Sequence, residues 1–369
     1  MKKRMRTGAA GMAAAALLLT GCGGAGVAGV AGGEGGEEET SATAVYDEIN
    51  ALSGQERTDR LVELAQEEGE LTIYHSNTDL GAVIEAFEET YDITVDATRG
   101  NSETVLQKVM SENSAGSLGV DVLENPFKEN VIANQQGLFY AYESEFRDAV
   151  VDEARMDGWT ANYFNVFVVG WNADNVDAEE IPSEIKDFAE STWDGRVALE
   201  MNDTDWFAAV SKHYLDQGMS EAEVDGMWAG IAENASVEKG HSAMGDMLAA
   251  GKLQIALSIY QHTLDGASEE LGAPVQWKRE GGGHVGPVVI SPTGAGVLKA
   301  AEHPAAAMLF MDFMLGEQGQ QIMHDNFRVG SVPREDSWIA GVETIPMPLE
   351  VATEDFEYWD DKYRELVGG

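Results

Sequence analysis

The chain has 369 residues, with 23 Lys and Arg against 65 Asp and Glu, a formal charge of −42 at pH 7 and a single cysteine. So negative a field repels phosphate backbones and anionic lipid headgroups, which excludes nucleic acid as a partner. One cysteine excludes an internal disulfide framework.

The N-terminus reads as an export signal. Lys2, Lys3, Arg4 and Arg6 precede a small and apolar run from Thr7 to Thr20, and the run ends in Leu19-Thr20-Gly21-Cys22. At ~13 residues the run is shorter than the ~20 that span a bilayer, so it matches a secretion signal closed by a lipobox. Residues 1–21 are expected to be removed, leaving Cys22 acylated and the lipid as the membrane link. Loss of those four basic residues would take the formal charge from −42 to −46. The acids are spread along the chain, as on a solvated surface suited to high external salt. Residues 22–56 read as a tether: from Gly23 to Thr43 they are rich in Gly and Glu and contain no aromatic residue. These glycines lack the strand and βαβ context of a nucleotide fingerprint.

From residue 57 helices and strands alternate. Leu61, Val62, Leu64 and Ala65 form one helical stripe that Gly69 stops, and Leu71-Thr72-Ile73-Tyr74 is a buried strand. After His75-Ser76-Asn77 the spacing of Val83, Ile84, Ala86 and Phe87 predicts a second helix, followed by a strand at Ile93–Asp96. A helix from Glu103 to Glu112 and a strand from Val120 to Leu123 continue the pattern. Further strands are expected at Val166–Trp171, Arg196–Glu200 and Leu253–Ile259, with helices opening near Asp203, 221–233 and 241–250. The order argues for a mostly parallel α/β sheet with ligands at strand C-terminal ends. About 300 globular residues exceed a comfortable single core, so two lobes are expected.

These segments resemble bacterial extracellular solute-binding proteins of the ferric-iron-binding-like group, over residues 60 to 335. The resemblance is carried by Leu61 to Tyr74, by Trp193-Asp194-Gly195-Arg196-Val197-Ala198, by Gly272-Ala273-Pro274-Val275-Gln276-Trp277, and by His303-Pro304-Ala305-Ala306-Ala307 with Leu309 to Phe313 and Gly319-Gln320. It implies the two-lobed type II periplasmic-binding-protein fold, with crossings near Val166–Trp171 and Gly286–Ser291 and a ligand cleft between the lobes. Lobe 1 would take residues 57–166 and 287–330, lobe 2 residues 167–286, and the C-terminal segment 331–369 would pack on lobe 2. It further implies a monomeric, non-enzymatic binder, held outside the cell membrane by the lipid at Cys22, that delivers a small ligand to an ABC-transporter permease.

In that fold the cleft is lined by loops after strands and by helix N-termini, where free N–H groups attract anions. The candidates are His75, Ser76 and Asn77 after the first strand; Arg99, Asn101 and Ser102 after the second; Glu124 after the third; Tyr163 before the first crossing; Asp205 in the second lobe; and Tyr260 and His262. Ser102 and Asp203 read as helix caps. His213, His241, His284, His303 and His324 read as structural or exposed. Iron-binding members of the group commonly hold Fe(III) with an adjacent pair of tyrosines, since hard Fe(III) favours anionic oxygen. This chain departs from that pattern: one tyrosine, Tyr260, is followed by Gln261 and His262. Two ligand classes stay open. Tyr260 and His262, with Tyr163, His75 and Glu124, suit Fe(III) as the transported ligand, while Ser76, Asn77, Thr78, Arg99 and Ser102 suit a phosphonate, sugar phosphate or carboxylate.

A secreted hydrolase is the rival class. The chain has no Gly-x-Ser-x-Gly elbow and no His-Glu-x-x-His, and Gly245 to Lys252 has one residue too many between its glycines for a phosphate loop, with Leu253 in place of Ser or Thr. Asp203-Thr204-Asp205 begins like a calcium loop, but Trp206 and the missing glycine end the match. No resident cofactor is expected.

Overall fold

The computed structural model describes residues 41–353 and 355–368. The first helices, α1 (Ser41–Asn50) and α2 (Gly54–Glu68), lead into β1 (Glu70–His75), α3 (Leu80–Tyr91), β2 (Thr94–Arg99), α4 (Ser102–Ala115), β3 (Val122–Pro126), α5 (Phe127–Gln135) and the single turn α6 (Glu145–Asp148). The chain then runs along β4 (Thr160–Asn172), a strand of 13 residues that are all buried. Next come β5 (Val197–Glu200), α7 (Thr204–Asp216), α8 (Glu221–Asn234), β6 (Ala235–Glu238), α9 (His241–Ala249), β7 (Ile255–Tyr260), α10 (Gln261–Leu271) and β8 (Val275–Gln276). The return is β9 (Val288–Val297), α11 (Pro304–Leu315), α12 (Glu317–Asp325), β10 (Val329–Gly330), β11 (Thr344–Pro346) and α13 (Phe356–Val367).

The sheet order is β2-β1-β3-β9-β4-β7-β5-β6. Each flank is parallel, β1 with β2 and β3 on one side and β5 with β6 and β7 on the other. Within the sheet, the described residues join the flanks through the antiparallel pair β4 and β9, the two expected crossings. β9 serves β3 with Thr293–Val297 and β4 along Val289–Ala295, while the far end of β4, Phe167–Trp171, serves β7. The two strands approach closely at Gly294, where a Cβ would lie 2.1 Å from the Thr160 carbonyl oxygen, so only glycine fits. Parallel strands reached by helical crossovers put their C-terminal ends toward one another across this junction. Those ends carry the candidate residues.

The tether expected to run to residue 56 ends earlier among the described residues. Ala42, Tyr46 and Ile49 are buried on one face of α1, and the helix packs on α2 and α11. The Tyr46 ring stacks on Tyr140 at 4.4 Å, and its hydroxyl donates to the Leu298 carbonyl at 2.8 Å. Cys22 and the expected signal lie outside the described residues.

Strand ends shift from their expected places. Residues 120–121 stand before β3, and the Asp121 carboxylate there ties three segments together: it accepts from the Thr72, Glu302 and His303 amides at 2.8, 2.8 and 2.9 Å and from the His303 ring at 2.9 Å. His303 is thereby a structural residue. The second strand runs on to Arg99, and Glu124 and Tyr260 lie within strands, not after them.

Helix α11 is buried along its whole length. Its one charged residue, Asp312, accepts hydrogen bonds from Arg57 of α2, from the Tyr142 hydroxyl and, at 2.6 Å, from Ser144. At the other end of the fold, α13 packs on α7 and α8. Tyr363 donates there to the Glu200 carbonyl, and Thr204 donates to Asp360 at 3.0 Å.

Candidate functional site

Where β1 ends, the chain folds back on the neighbouring strand. The Ser76 amide donates to the Glu124 carbonyl at 3.2 Å, the Asn77 side-chain amide donates to the Glu124 carboxyl at 3.1 Å, and the His75 ring meets the Asn77 carbonyl at 3.1 Å. Glu124 is wholly buried, and its second carboxyl oxygen has no partner. Burial lifts this carboxyl to about 7, against the opposing pull of the Asn77 hydrogen bond and the Arg328 charge. Burial lowers His75 from its usual range.

Arg328 joins this corner to the rest. The side chain is 4% exposed. It donates to Asp79 at 2.5 and 2.9 Å, to the Thr78 hydroxyl at 3.1 Å and to Asn165 at 3.2 Å, with the His262 ring 3.5 Å away. Its guanidinium also lies 4.8 Å from the Tyr163 ring centroid. The arginine is fixed by β10, which pairs with Tyr163 and Phe164 of β4. The preceding Phe327 sits at φ 61, a left-handed conformation that bulky residues rarely adopt. Gln261 of α10 donates to its carbonyl at 3.2 Å, and the Trp338 ring packs at 5.0 Å. Backbone held in such a state by its surroundings is found preferentially at binding and switching sites.

The opposite wall is aromatic. Tyr260 closes β7, with the His241 ring stacked 4.0 Å away at 20° and the His262 ring 5.4 Å away at 21°. Phe167 of β4 meets Tyr260 edge-on at 4.9 Å, and His241 Nε2 pairs with Asp203 at 3.1 Å. Burial would depress His241, but Asp203 and Glu200 carry it above its ordinary range. Burial and the charge of Arg328 push His262 well below. Burial raises both phenols, and Asp203 and Tyr163 raise Tyr260 further.

The structure thus gathers Glu124, Tyr163 and His262 around Arg328, joins His75, Ser76 and Asn77 to the Glu124 corner, and stacks Tyr260 on His241 and His262. The others lie elsewhere. Arg99 is exposed at the end of β2 as the cross-strand partner of His75, and nothing gathers it toward Tyr260. Asn101, not Ser102, caps α4, accepting from the Thr104 amide at 2.8 Å, while Ser102 donates to Glu129 at 3.1 Å. Asp205 faces Lys128, Glu129, Asp203 and Asp360, and burial lifts its carboxyl to about 7. Beside it a cavity of about 640 Å³ separates α4 and α5 from α7 and α13, lined among others by Lys128, Glu129, Thr204 and Arg364. Asp203 does not cap α7 with its side chain, and His241 is built into the site. Among the described residues no group of three His, Cys, Asp or Glu side chains is placed to hold a metal, so a metal here would need the phenols as donors.

Sequence reasoning missed Arg328, Asp79 and Asn165 altogether. The available signal was weak: an arginine in a chain with only 23 basic residues, after an aromatic residue and before Val-Gly.

The raised carboxyls set a pH dependence. Glu124 and Asp205 bind protons more tightly folded than unfolded, so their contribution to stability is complete below the ordinary values of 4.5 for Glu124 and 3.8 for Asp205, falls as pH rises through about 7 and is constant above. Each can contribute at most about 1.4 kcal/mol per pH unit within that window. Glu124→Gln is expected to make the fall shallower, leaving the Asp205 part, in urea denaturation followed from pH 4 to 8. An unchanged slope would show that water reaches Glu124.

Residues 119–338 match the family model described as bacterial extracellular solute-binding protein. The chain belongs to that family. It is a non-enzymatic, extracytoplasmic binder of small ligands, and the hydrolase reading is set aside. Among curated relatives, the Fe(3+)-binding periplasmic protein of Serratia marcescens is 23% identical over 250 residues, 66% of this chain and 72% of the relative. Among solved structures, iron-bound HitA from Pseudomonas aeruginosa superposes with a TM-score of 0.66 at 20% identity, covering 79% of this chain and 99% of HitA. The periplasmic binding protein AfuA from Actinobacillus pleuropneumoniae, with fructose-6-phosphate bound, gives 0.59 at 20% identity, covering 82% and 97%. The mixed α/β fold is that of type II periplasmic binding proteins.

Proposed function

We propose that this solute-binding protein is a lipoprotein that captures Fe(III), or a small ferric complex, between the two flanks of its sheet and delivers it to an ABC permease. The observation that carries the reading is the gathering of oxygen donors around Arg328: the Tyr163 and Tyr260 phenols and the Glu124 carboxyl, all favouring their protonated forms in this buried setting. Hard Fe(III) prefers phenolate and carboxylate, and its binding would displace those protons. The guanidinium would then offset part of the negative charge left behind.

Closure follows from the topology in this reading. Residues 57–166 with 287–330 form one lobe and 167–286 the other, hinged at β4 and β9, and 331–369 travels with the second lobe through the packing of α13 on α7 and α8. Only a ligand that touches both lobes favours closure. A permease that reads the closed form would thereby reject the empty protein.

A second reading is favoured by one observation. Arg328 and the Thr78 hydroxyl form a pair of donors that an oxyanion could share if it displaced Asp79, while Asn165 accepts from the guanidinium and holds it in place. Ferric citrate and a sugar phosphate, titrated in parallel by calorimetry, test the two: the ferric reading expects heat and proton release only with the first.

The lipid anchor has its own test. Cys22→Ser is expected to leave the precursor unprocessed or release the protein into the medium, read by fractionation and mass spectrometry. Unchanged membrane association and processing would overturn it.

A further inference from the structure

We propose that Asp203 and His241 are positioning residues for Tyr260, fixing the plane of its ring so that the phenol oxygen is presented to the ligand; this rests on Tyr260 being a ligand contact. Two local rules are broken where these residues sit. Asp203 occupies the N-cap of α7, where an aspartate ordinarily accepts from the first free amides, yet its side chain makes no cap bond. The carboxylate is given to His241 instead, at 3.1 Å. His241 is the first residue of α9, the positive end of the helix dipole, where an acidic side chain is the favoured occupant. Residues that break local preference without local gain mark a requirement set elsewhere in the fold.

That requirement is the ring of Tyr260. It is the last residue of β7, paired with Phe167 of β4, and the N-cap of α10, so its backbone is held while the plane of its ring is left to its neighbours. His241 covers one face at 4.0 Å and 20°, and Phe167 closes against both rings, 4.9 Å from Tyr260 and 5.9 Å from His241. The loop that presents His241 is itself held. Gly240 takes φ 88, and its amide donates to the Glu200 carboxylate at 2.8 Å. Glu200 also accepts from the Asn202 amide at 2.5 Å, and its carbonyl accepts from Tyr363 of α13. Asp203, His241 and Tyr260 thus form one connected series on a frame supplied by β5 and α13.

The experiment compares Asp203→Ala, His241→Ala and His241→Phe in the mature protein, with two readouts. Fluorine NMR of fluorotyrosine-labelled apo-protein follows the Tyr260 ring, its signal assigned by loss in Tyr260→Phe. Fe(III) supplied as its citrate complex is titrated by absorbance of the phenolate-to-iron band. Asp203→Ala and His241→Ala are expected to broaden or shift the Tyr260 signal and to weaken Fe(III) binding about 10- to 100-fold, the range usual for groups that orient a metal ligand. His241→Phe, which keeps a stacking face, should restore most of both. An unchanged Tyr260 signal in both alanine variants overturns the proposal, as does equal loss in all three variants with that signal unmoved. Should the wild type show no iron band, the ferric reading fails and the NMR arm alone decides the positioning role.

Discussion

Replacing Tyr260 by Phe is expected to weaken Fe(III) binding by at least about 100-fold, roughly 2.7 kcal/mol, and to remove most of the phenolate-to-iron absorption. The change deletes one oxygen and keeps the ring that packs on His241, His262 and Phe167, so the fold should not suffer. Removing the hydroxyl even spares the cost of burying a phenol whose ionisation burial already disfavours. A loss of affinity with unchanged or slightly raised melting temperature would therefore report on the ligand. Arg328→Met should have the milder effect if iron is the cargo, since the guanidinium touches no metal in that reading. The ranking reverses if an oxyanion binds at Arg328, and affinity for ferric citrate should then survive Tyr260→Phe.

The largest effect on stability is expected far from the cleft, at Arg57. Its guanidinium reaches both carboxylate oxygens of Asp312 and donates to the Glu143 carbonyl at 3.2 Å, and both charged side chains are almost entirely buried. Arg57→Ala would leave Asp312 inside α11 with only the Tyr142 and Ser144 hydroxyls, a carboxylate stripped of its counter-charge. Breaking a buried pair on one side costs about 3–5 kcal/mol. Urea denaturation should show that loss with an unchanged slope, and Arg57→Ala with Asp312→Ala should recover part of it. A loss below about 1 kcal/mol would show that water replaces the arginine.

The legible part of the fold was the part built from periodic segments. Alternating helices and strands place β1, β2, β3, β5 and β7 within a few residues of their observed bounds, and residues at strand ends follow from that, which is why His75, Asn77, Glu124 and Tyr260 could be named. Arg328 could not. It is positioned by β10, a two-residue strand whose pairing with Tyr163 and Phe164 has no periodic signature, and by the left-handed Phe327 before it. Asp203 and His241 were read as a cap and as a structural or exposed histidine, because local preference describes those positions while the long-range pair between them decides their use. The helix at 41–50 was hidden for a different reason. Ala42, Tyr46 and Ile49 do follow helical spacing, but the Gly- and Glu-rich stretch before them dominated the composition, and their burial depends on Tyr140 and Leu298, far along the chain.

The central claim is that the cargo is iron held by oxygen donors between the flanks. The most direct measurement is metal analysis with native mass spectrometry of the mature protein after exposure to ferric citrate and desalting. The account predicts one iron per chain in the wild type and none in Tyr260→Phe. A wild-type chain that emerges without iron, or that retains a phosphate- or carboxylate-bearing organic molecule in its place, would contradict it.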